Sequence, residues 1–160
     1  YLGVNNNEII KSFKTYKGVK RRFEYHVNLP GKILIDDYAH HPVEIDYLIS
    51  SIRNLHPGYK VFFIFQPHLF SRTRDLEKDF CEVLNLVDQL VLFDIYPARE
   101  TPIKGVTSKN LLEKINLRDK WIADSDSIKE LIKHQSPSLI VTAGAGNIDH
   151  IIPIIKSVFN

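Results

Sequence analysis

Two rhythms of apolar and polar positions run along the chain. Asn5-Asn6-Asn7 ahead of Glu8-Ile9-Ile10 offers capping oxygens to a helix. Gly18 is a stop for that short helix, with Ile9, Ile10 and Phe13 facing inward. Phe23 to Leu29 then alternates apolar and polar residues, the signature of a half-buried strand. Pro30-Gly31 turns it into Lys32-Ile33-Leu34-Ile35-Asp36-Asp37, which predicts an antiparallel hairpin. Beyond it the pattern becomes strand, loop, helix, repeated. Val61 to Phe65, Leu90 to Phe93 and Leu139 to Val141 are continuous apolar runs, which suit strands covered on both faces and therefore a parallel sheet. Helical spacing covers about 43–55, 71–87, 107–116 and 126–134. Trp121-Ile122-Ala123 adds a short strand, and an isoleucine-rich C-terminal helix is started or kinked by Pro153. The predicted fold is α/β: a doubly wound, mostly parallel sheet with an antiparallel N-terminal hairpin.

Composition narrows the picture. At 160 residues, 44% hydrophobic and 25% charged, the chain has the size of one domain, or two small ones, and the balance of a soluble globular protein rather than a disordered chain. A net charge of +2 gives no reason to expect nucleic acid as a partner, and no apolar run nears the ~20 residues of a membrane span. A single cysteine, Cys81, excludes a disulfide framework and a multi-cysteine zinc site; it lies on an apolar helix stripe, and the expected compartment is a reducing cytoplasm. A start at Tyr1 with no methionine anywhere reads as an excerpt of a longer protein. Nor is there a Gly-x-x-x-x-Gly-Lys-Ser/Thr loop to cradle ATP phosphates.

Ligands of doubly wound sheets sit at the carboxyl ends of the strands. That rule selects Asp36 to His41, Gln66 to Arg74, Asp94 to Glu100 and Thr142 to Ile148. Two adjacent carboxylates at Asp36-Asp37 need partners, because like charges repel and burial penalises both. One can hold a ribose or cap the following helix. His40 and His41 point to opposite sides of an extended loop, a poor pair for one metal ion, and no metal site is assigned. Ser71 is a candidate N-cap that places Arg72 and Arg74 in a helix's first turn, where cations oppose the helix dipole. An anion shared between helix N–H groups and an arginine fork explains them; pairing of both arginines with surface carboxylates is the alternative. Lys17-Gly18-Val19-Lys20-Arg21-Arg22 reads as a solvated basic turn or a single phosphate contact. Gly144-Ala145-Gly146 lacks the third glycine of a dinucleotide loop, so its glycines serve close backbone approach. His26, His56, His134 and His150 fall outside any cluster.

These loops, in this order and spacing, resemble the C-terminal domain of the Mur ligases. The matching segments are Gly18-Val19-Lys20-Arg21-Arg22-Phe23-Glu24, Asp36-Asp37-Tyr38-Ala39-His40-His41-Pro42, Phe65-Gln66-Pro67-His68 with Ser71-Arg72-Thr73-Arg74-Asp75, Asp94-Ile95-Tyr96-Pro97-Ala98, and Gly144-Ala145-Gly146-Asn147-Ile148. The resemblance implies a Rossmann-like domain over residues 18–160, with 1–17 the end of a linker from a central ATPase domain. It implies a cytoplasmic, ATP-dependent ligation in peptidoglycan synthesis, in which the carboxylate of UDP-N-acetylmuramate is activated as an acyl phosphate and attacked by the amine of L-alanine. ATP and Mg2+ would be held mainly by the central domain, so this domain alone would be inactive. Carried over position by position, Arg22 would reach the ATP phosphates and Asp37 the ribose. Tyr38, His40, His68 and Arg72 would line the amino-acid pocket, with Gly144, Ala145 and Gly146 a candidate substrate loop. Arg72 suits a bidentate grip on a carboxylate, and His40 and His68 are candidates to orient the amine or take its proton.

Two positions depart from the family pattern: Leu69 stands where arginine is common, and Arg99 where glycine is usual. A ligase that recycles a ready-made tripeptide onto the same sugar, or a nonenzymatic nucleotide-binding module, are the competing readings.

Overall fold

The computed structural model describes residues 3–16 and 18–159. β1 (Glu24–Leu29) and β2 (Lys32–Asp37) form the expected antiparallel hairpin, with a bulge where the register shifts between Tyr25 and Val27. β3 (Val61–Phe65), β4 (Gln89–Leu92), β5 (Lys120–Ile122) and β6 (Leu139–Ala143) join them in one sheet, ordered β1-β2-β6-β3-β4-β5. All neighbours after the hairpin are parallel. β3 and β6 sit in the middle, and every residue of both is buried, which is why Val61–Phe65 and Leu139–Val141 read as unbroken apolar runs.

Successive strand residues point to opposite faces, and each face has its own core. On one, α2 (Pro42–Leu55), α4 (Glu77–Leu84) and α5 (Ser108–Lys114) bring Ile45, Ile52, Phe80, Leu84 and Leu111 over Ile35, Phe63, Phe65, Leu90 and Val141. On the other, α6 (Ile128–Gln135) and α7 (Ile152–Phe159) bring Ile128, Ile132, Ile152 and Ile155 over Leu34, Phe62, Ile64 and Ile140. Each such side chain contributes about 1.5–3 kcal/mol on burial, so the doubly covered strands hold the rim loops on a rigid base. Cys81 packs half-buried against the first core, as expected of a helix-stripe residue.

Three expectations need correction. α1 (Asn6–Thr15) carries the anticipated cap, an Asn5–Glu8 capping box, yet none of its residues is buried. Ile9, Ile10 and Phe13 are exposed rather than inward, because helical periodicity predicts an apolar face but not what covers it. The single helix expected over 71–87 is two, α3 (Phe70–Asp75) and α4, bent at Leu76. Its apolar stripe runs through the bend, so spacing alone does not register it. Pro153 is the second residue of α7, directly after a 3-10 turn over Ile148–Ile151, and starts the helix without kinking it. Tyr1, Leu2, Lys17 and Asn160 lie outside the described residues, so the first residues of the expected linker and Lys17 of the basic run have no structural account.

Candidate functional site at the carboxyl rim

The rim is organised around Asp36, Asp37 and Arg21. Asp36 is fully buried at the end of β2; it accepts the Thr142 hydroxyl at 2.6 Å and Arg21 Nε at 3.1 Å. Burial pushes its carboxyl above the usual range, against the opposing pull of Thr142 and Arg21. Arg21 also donates to the carbonyls of Gly144 at 2.6 Å and Gly146 at 2.9 Å, and lies 3.3 Å from Asp149. One guanidinium thus ties β2, the loop after β6 and the 3-10 turn together. Asp37 takes the Phe23 N–H on one oxygen (2.7 Å) and the Ala39 N–H on the other (2.8 Å). The demand that both carboxylates find partners is met by a buried ion pair and by backbone donors. Neither caps α2: His41 does, its ring accepting the Val43 N–H while Glu44 accepts the His41 N–H.

Tyr38, His40, His68 and Arg72 form one continuous chain of contacts. The guanidinium carbons of Arg21 and Arg22 lie 5.2 and 5.6 Å from the Tyr38 ring centre. Tyr38 and His40 meet edge to face at 5.4 Å, His40 and His68 at 5.9 Å, and His68 stacks on Tyr96 at 5.6 Å. His40 Nδ1 faces the Tyr38 carbonyl at 2.9 Å; a carbonyl only accepts, so Nδ1 carries a proton, and in the neutral ring Nε2 is the acceptor. His68 Nδ1 faces Arg72 Nη1 at 3.4 Å; a guanidinium only donates, so the proton of His68 sits on Nε2. Burial, with Arg72 and His40 beside it, holds the His68 pKa below the ordinary imidazole value. The two rings therefore present opposite hydrogen-bonding atoms.

The loops after β3 and β4 are zipped together. Tyr96 donates to Pro67 at 2.8 Å, Leu69 donates to Tyr96 at 2.9 Å, and His68 and Tyr96 form a parallel bridge. Ser71 is not an N-cap. The cap position of α3 is Leu69, which makes no side-chain cap bond. Glu100, from the loop after β4, instead accepts the Ser71 N–H at 2.9 Å and the Ser71 hydroxyl. These bonds hold the Glu100 carboxyl below its ordinary range. Arg74 pairs with Asp75 at 2.7 Å and leaves the site, whereas Arg72 has no carboxylate within 4.0 Å among the described residues. The arginine fork of the sequence reading is one arginine.

Gly144 and Gly146 are glycines for steric reasons. Gly144 has φ +146, and a Cβ there would meet the Gln66 carbonyl oxygen at 2.8 Å; on Gly146 it would meet Tyr96 Cγ at 2.6 Å. Four non-glycine residues with positive φ also lie on this rim: Arg21 (+56°), Phe23 (+48°), Leu69 (+71°) and Ala98 (+51°). Both departures from the family pattern fall here; the left-handed residue of the second turn is Ala98, not its exposed neighbour Arg99. A cleft of about 530 Å3, lined by Lys60, Gln89, Gln135 and Ser136 among others, opens at the opposite end of the strands, away from these groups. The rim is an open, charged surface. Arg21 and Glu100 are its contributors that residue-by-residue reading missed: Arg21 was one of four bases in a run, and Glu100 only the last residue of a flagged loop. His56, His134 and His150 stay out of it, His56 bonding the Tyr25 hydroxyl at 2.8 Å, whereas His26 acts on Asp36 through its charge.

Among the described residues no helix is long and apolar enough to cross a membrane. Residues 21–146 match the family model described as Mur ligase, glutamate ligase domain. The UDP-N-acetylmuramate--L-alanine ligase of Flavobacterium psychrophilum is 44% identical over 155 residues, covering 97% of this chain and 35% of that protein. The enzyme of the same name from Flavobacterium johnsoniae is 45% identical over 159 residues, covering 99% of this chain and 35% of that protein. The chain therefore spans about a third of the length of these curated relatives. A crystal structure of a UDP-N-acetylmuramate-alanine ligase from Thermotoga maritima has the same fold, with TM-score 0.74 at 23% identity, over 99% of this chain and 34% of that one. With most of its length matched by that family model, the chain belongs to the Mur ligase family, as its C-terminal domain.

Proposed function

We propose that residues 18–160 are the amino-acid-binding domain of an ATP-dependent ligase that joins L-alanine to UDP-N-acetylmuramate, and that residues 1–17 end the linker from a central ATPase domain. The observation that carries this is the contact chain Tyr38–His40–His68–Arg72, which gathers at one rim two imidazoles and a cation that has no carboxylate partner among the described residues. The names of the relatives supply the reaction. In this reading Arg72 takes the carboxylate of L-alanine. His40 Nε2 accepts from the amine, while His68 Nε2–H donates to a substrate oxygen. Arg22, exposed and resting over Tyr38, reaches for the ATP phosphates; Asp37 accepts from the ribose with the lone pairs that Phe23 and Ala39 leave open. The Gly144-Ala145-Gly146 loop, with two carbonyls held by Arg21, forms a fixed wall beside them.

Among the described residues no three His, Cys, Asp or Glu side chains converge on one point, and no step is routed through a metal ion here. The ion, most of the ATP site and the UDP-N-acetylmuramate site belong in this reading to the N-terminal and central domains, the partners of this one. The test is phosphate release from ATP. The complete enzyme given UDP-N-acetylmuramate should respond to L-alanine and not to a ready-made tripeptide, and the isolated chain should release none. Preference for the tripeptide would overturn the substrate assignment, turnover by the isolated chain the division of labour, and tight ATP binding by it would favour a nucleotide-binding module.

A further inference from the structure

We propose that Glu100 is a positioning residue for Arg72, holding the first turn of α3 from the neighbouring loop so that the guanidinium is set before the amino acid arrives. The proposal rests on the reading of Arg72 as the contact for the amino-acid carboxylate. α3 has only six residues, and the residue at its cap, Leu69, has no side-chain acceptor to offer. Glu100 supplies that acceptor across 29 residues of sequence, taking both the N–H and the hydroxyl of Ser71. The Phe70 N–H also contributes to holding its carboxylate ionised. Glu100 is itself fixed at the end of a tight turn, its N–H donating to the Pro97 carbonyl at 2.9 Å.

The consequence falls on the next residue. Arg72 leaves the backbone one position beyond Ser71, and its guanidinium rests against His68. Glu100 acts on Arg72 through its charge without lying within ion-pair distance of it. It therefore steadies the backbone beneath the cation without taking any of its donors, one of which already faces His68. Arg74, whose guanidinium is spent on the adjacent Asp75, shows the other outcome. A carboxylate that satisfied Arg72 directly would compete with the substrate; one that satisfies the amides beneath it does not.

The complete enzyme is the test object, with Glu100→Ala, Glu100→Gln and Ser71→Ala. Glu100→Ala should raise KM for L-alanine roughly tenfold, as expected for losing charge-assisted hydrogen bonds. KM for ATP and kcat should move less than about twofold. Glu100→Gln keeps an acceptor and should recover part of the loss, and Ser71→Ala should cost less than Glu100→Ala. A loss that is merely structural would lower kcat or yield without this split. Hydrogen–deuterium exchange of the peptide spanning 69–76 gives a second readout that needs no turnover: exchange should quicken in Glu100→Ala. Unchanged exchange, or KM for L-alanine within twofold of wild type, overturns the proposal. Failure of the wild-type enzyme to use L-alanine overturns the activity assignment instead, while quickened exchange in the variant still sustains the hold of Glu100 on α3.

Discussion

Arg21→Gln gives a demanding test of the rim's architecture. Arg21 is 13% exposed and Asp36 not at all, so the substitution strands a buried carboxylate with only the Thr142 hydroxyl and removes donors from two glycine carbonyls. Removing one partner of a buried pair costs about 3–5 kcal/mol. A domain holds ~5–15 kcal/mol in total, so roughly a fifth or more of the stability should go, lowering Tm by roughly 6–20 °C. Urea unfolding of the 160-residue chain, followed by fluorescence of the sole tryptophan Trp121, which stacks on Phe62, measures it. The sign with pH follows from Asp36. Its native pKa lies above the ordinary value, so the native state holds that proton more readily than the unfolded chain. Its contribution is fullest below the ordinary aspartate value and is lost as pH rises through the raised native one. Arg21 opposes that rise, so the penalty of Arg21→Gln should be larger near neutrality than at about pH 4. Adding Asp36→Asn, which leaves no charge to strand, should return much of the loss. A penalty under about 1 kcal/mol near neutrality, or a double variant no better than the single, would show that the pair does not organise the rim.

Other outcomes follow from the same geometry. In the complete enzyme Arg72→Ala should raise KM for L-alanine roughly ten- to a hundredfold with KM for ATP unchanged, and Arg22→Ala should do the reverse; initial-rate kinetics separate them, and matching effects would break the assignment. Gly146→Ala should cost about 1–3 kcal/mol in chemical unfolding, because the added methyl meets Tyr96 and Gln66 across a closed contact; a cost below about 1 kcal/mol would mean that the loop yields easily. His68 should titrate below the ordinary imidazole value in an NMR pH series and move upward in Arg72→Ala, since Arg72 is one of the charges depressing it. Because its native pKa is depressed, His68 contributes stability above the ordinary imidazole value and loses it on acidification through that range.

The central strands were legible because both faces are covered: Val61–Phe65 and Leu139–Val141 are wholly apolar, and the polar residue that follows, Thr142, is bonded to Asp36. The hairpin was legible from Pro30-Gly31, and the rim loops from topology together with residue type. Pairings distant along the chain were not. Four bases in six residues do not reveal that Arg21 turns inward to Asp36 while Arg22 stays exposed, for that choice is made by the loop after β6. His41 is an uncommon cap, so its capping of α2 went to the aspartates before it. The replacement of a local cap on α3 by Glu100 leaves no trace in the helical periodicity. Leu69 and Ala98 give no sign of a left-handed backbone, as glycine would.

Those twisted backbone positions carry a thermodynamic consequence. Arg21, Phe23, Leu69 and Ala98 sit in conformations that cost of order 1–3 kcal/mol each, and the cost is met when the chain folds, not when a small molecule docks. Ligand capture at such a surface starts from loops whose disorder has already been surrendered, so a calorimeter should register a small entropic penalty on association. Replacing Leu69 or Ala98 by glycine would move that penalty from folding to docking, weakening capture through entropy even where every bonding group survives.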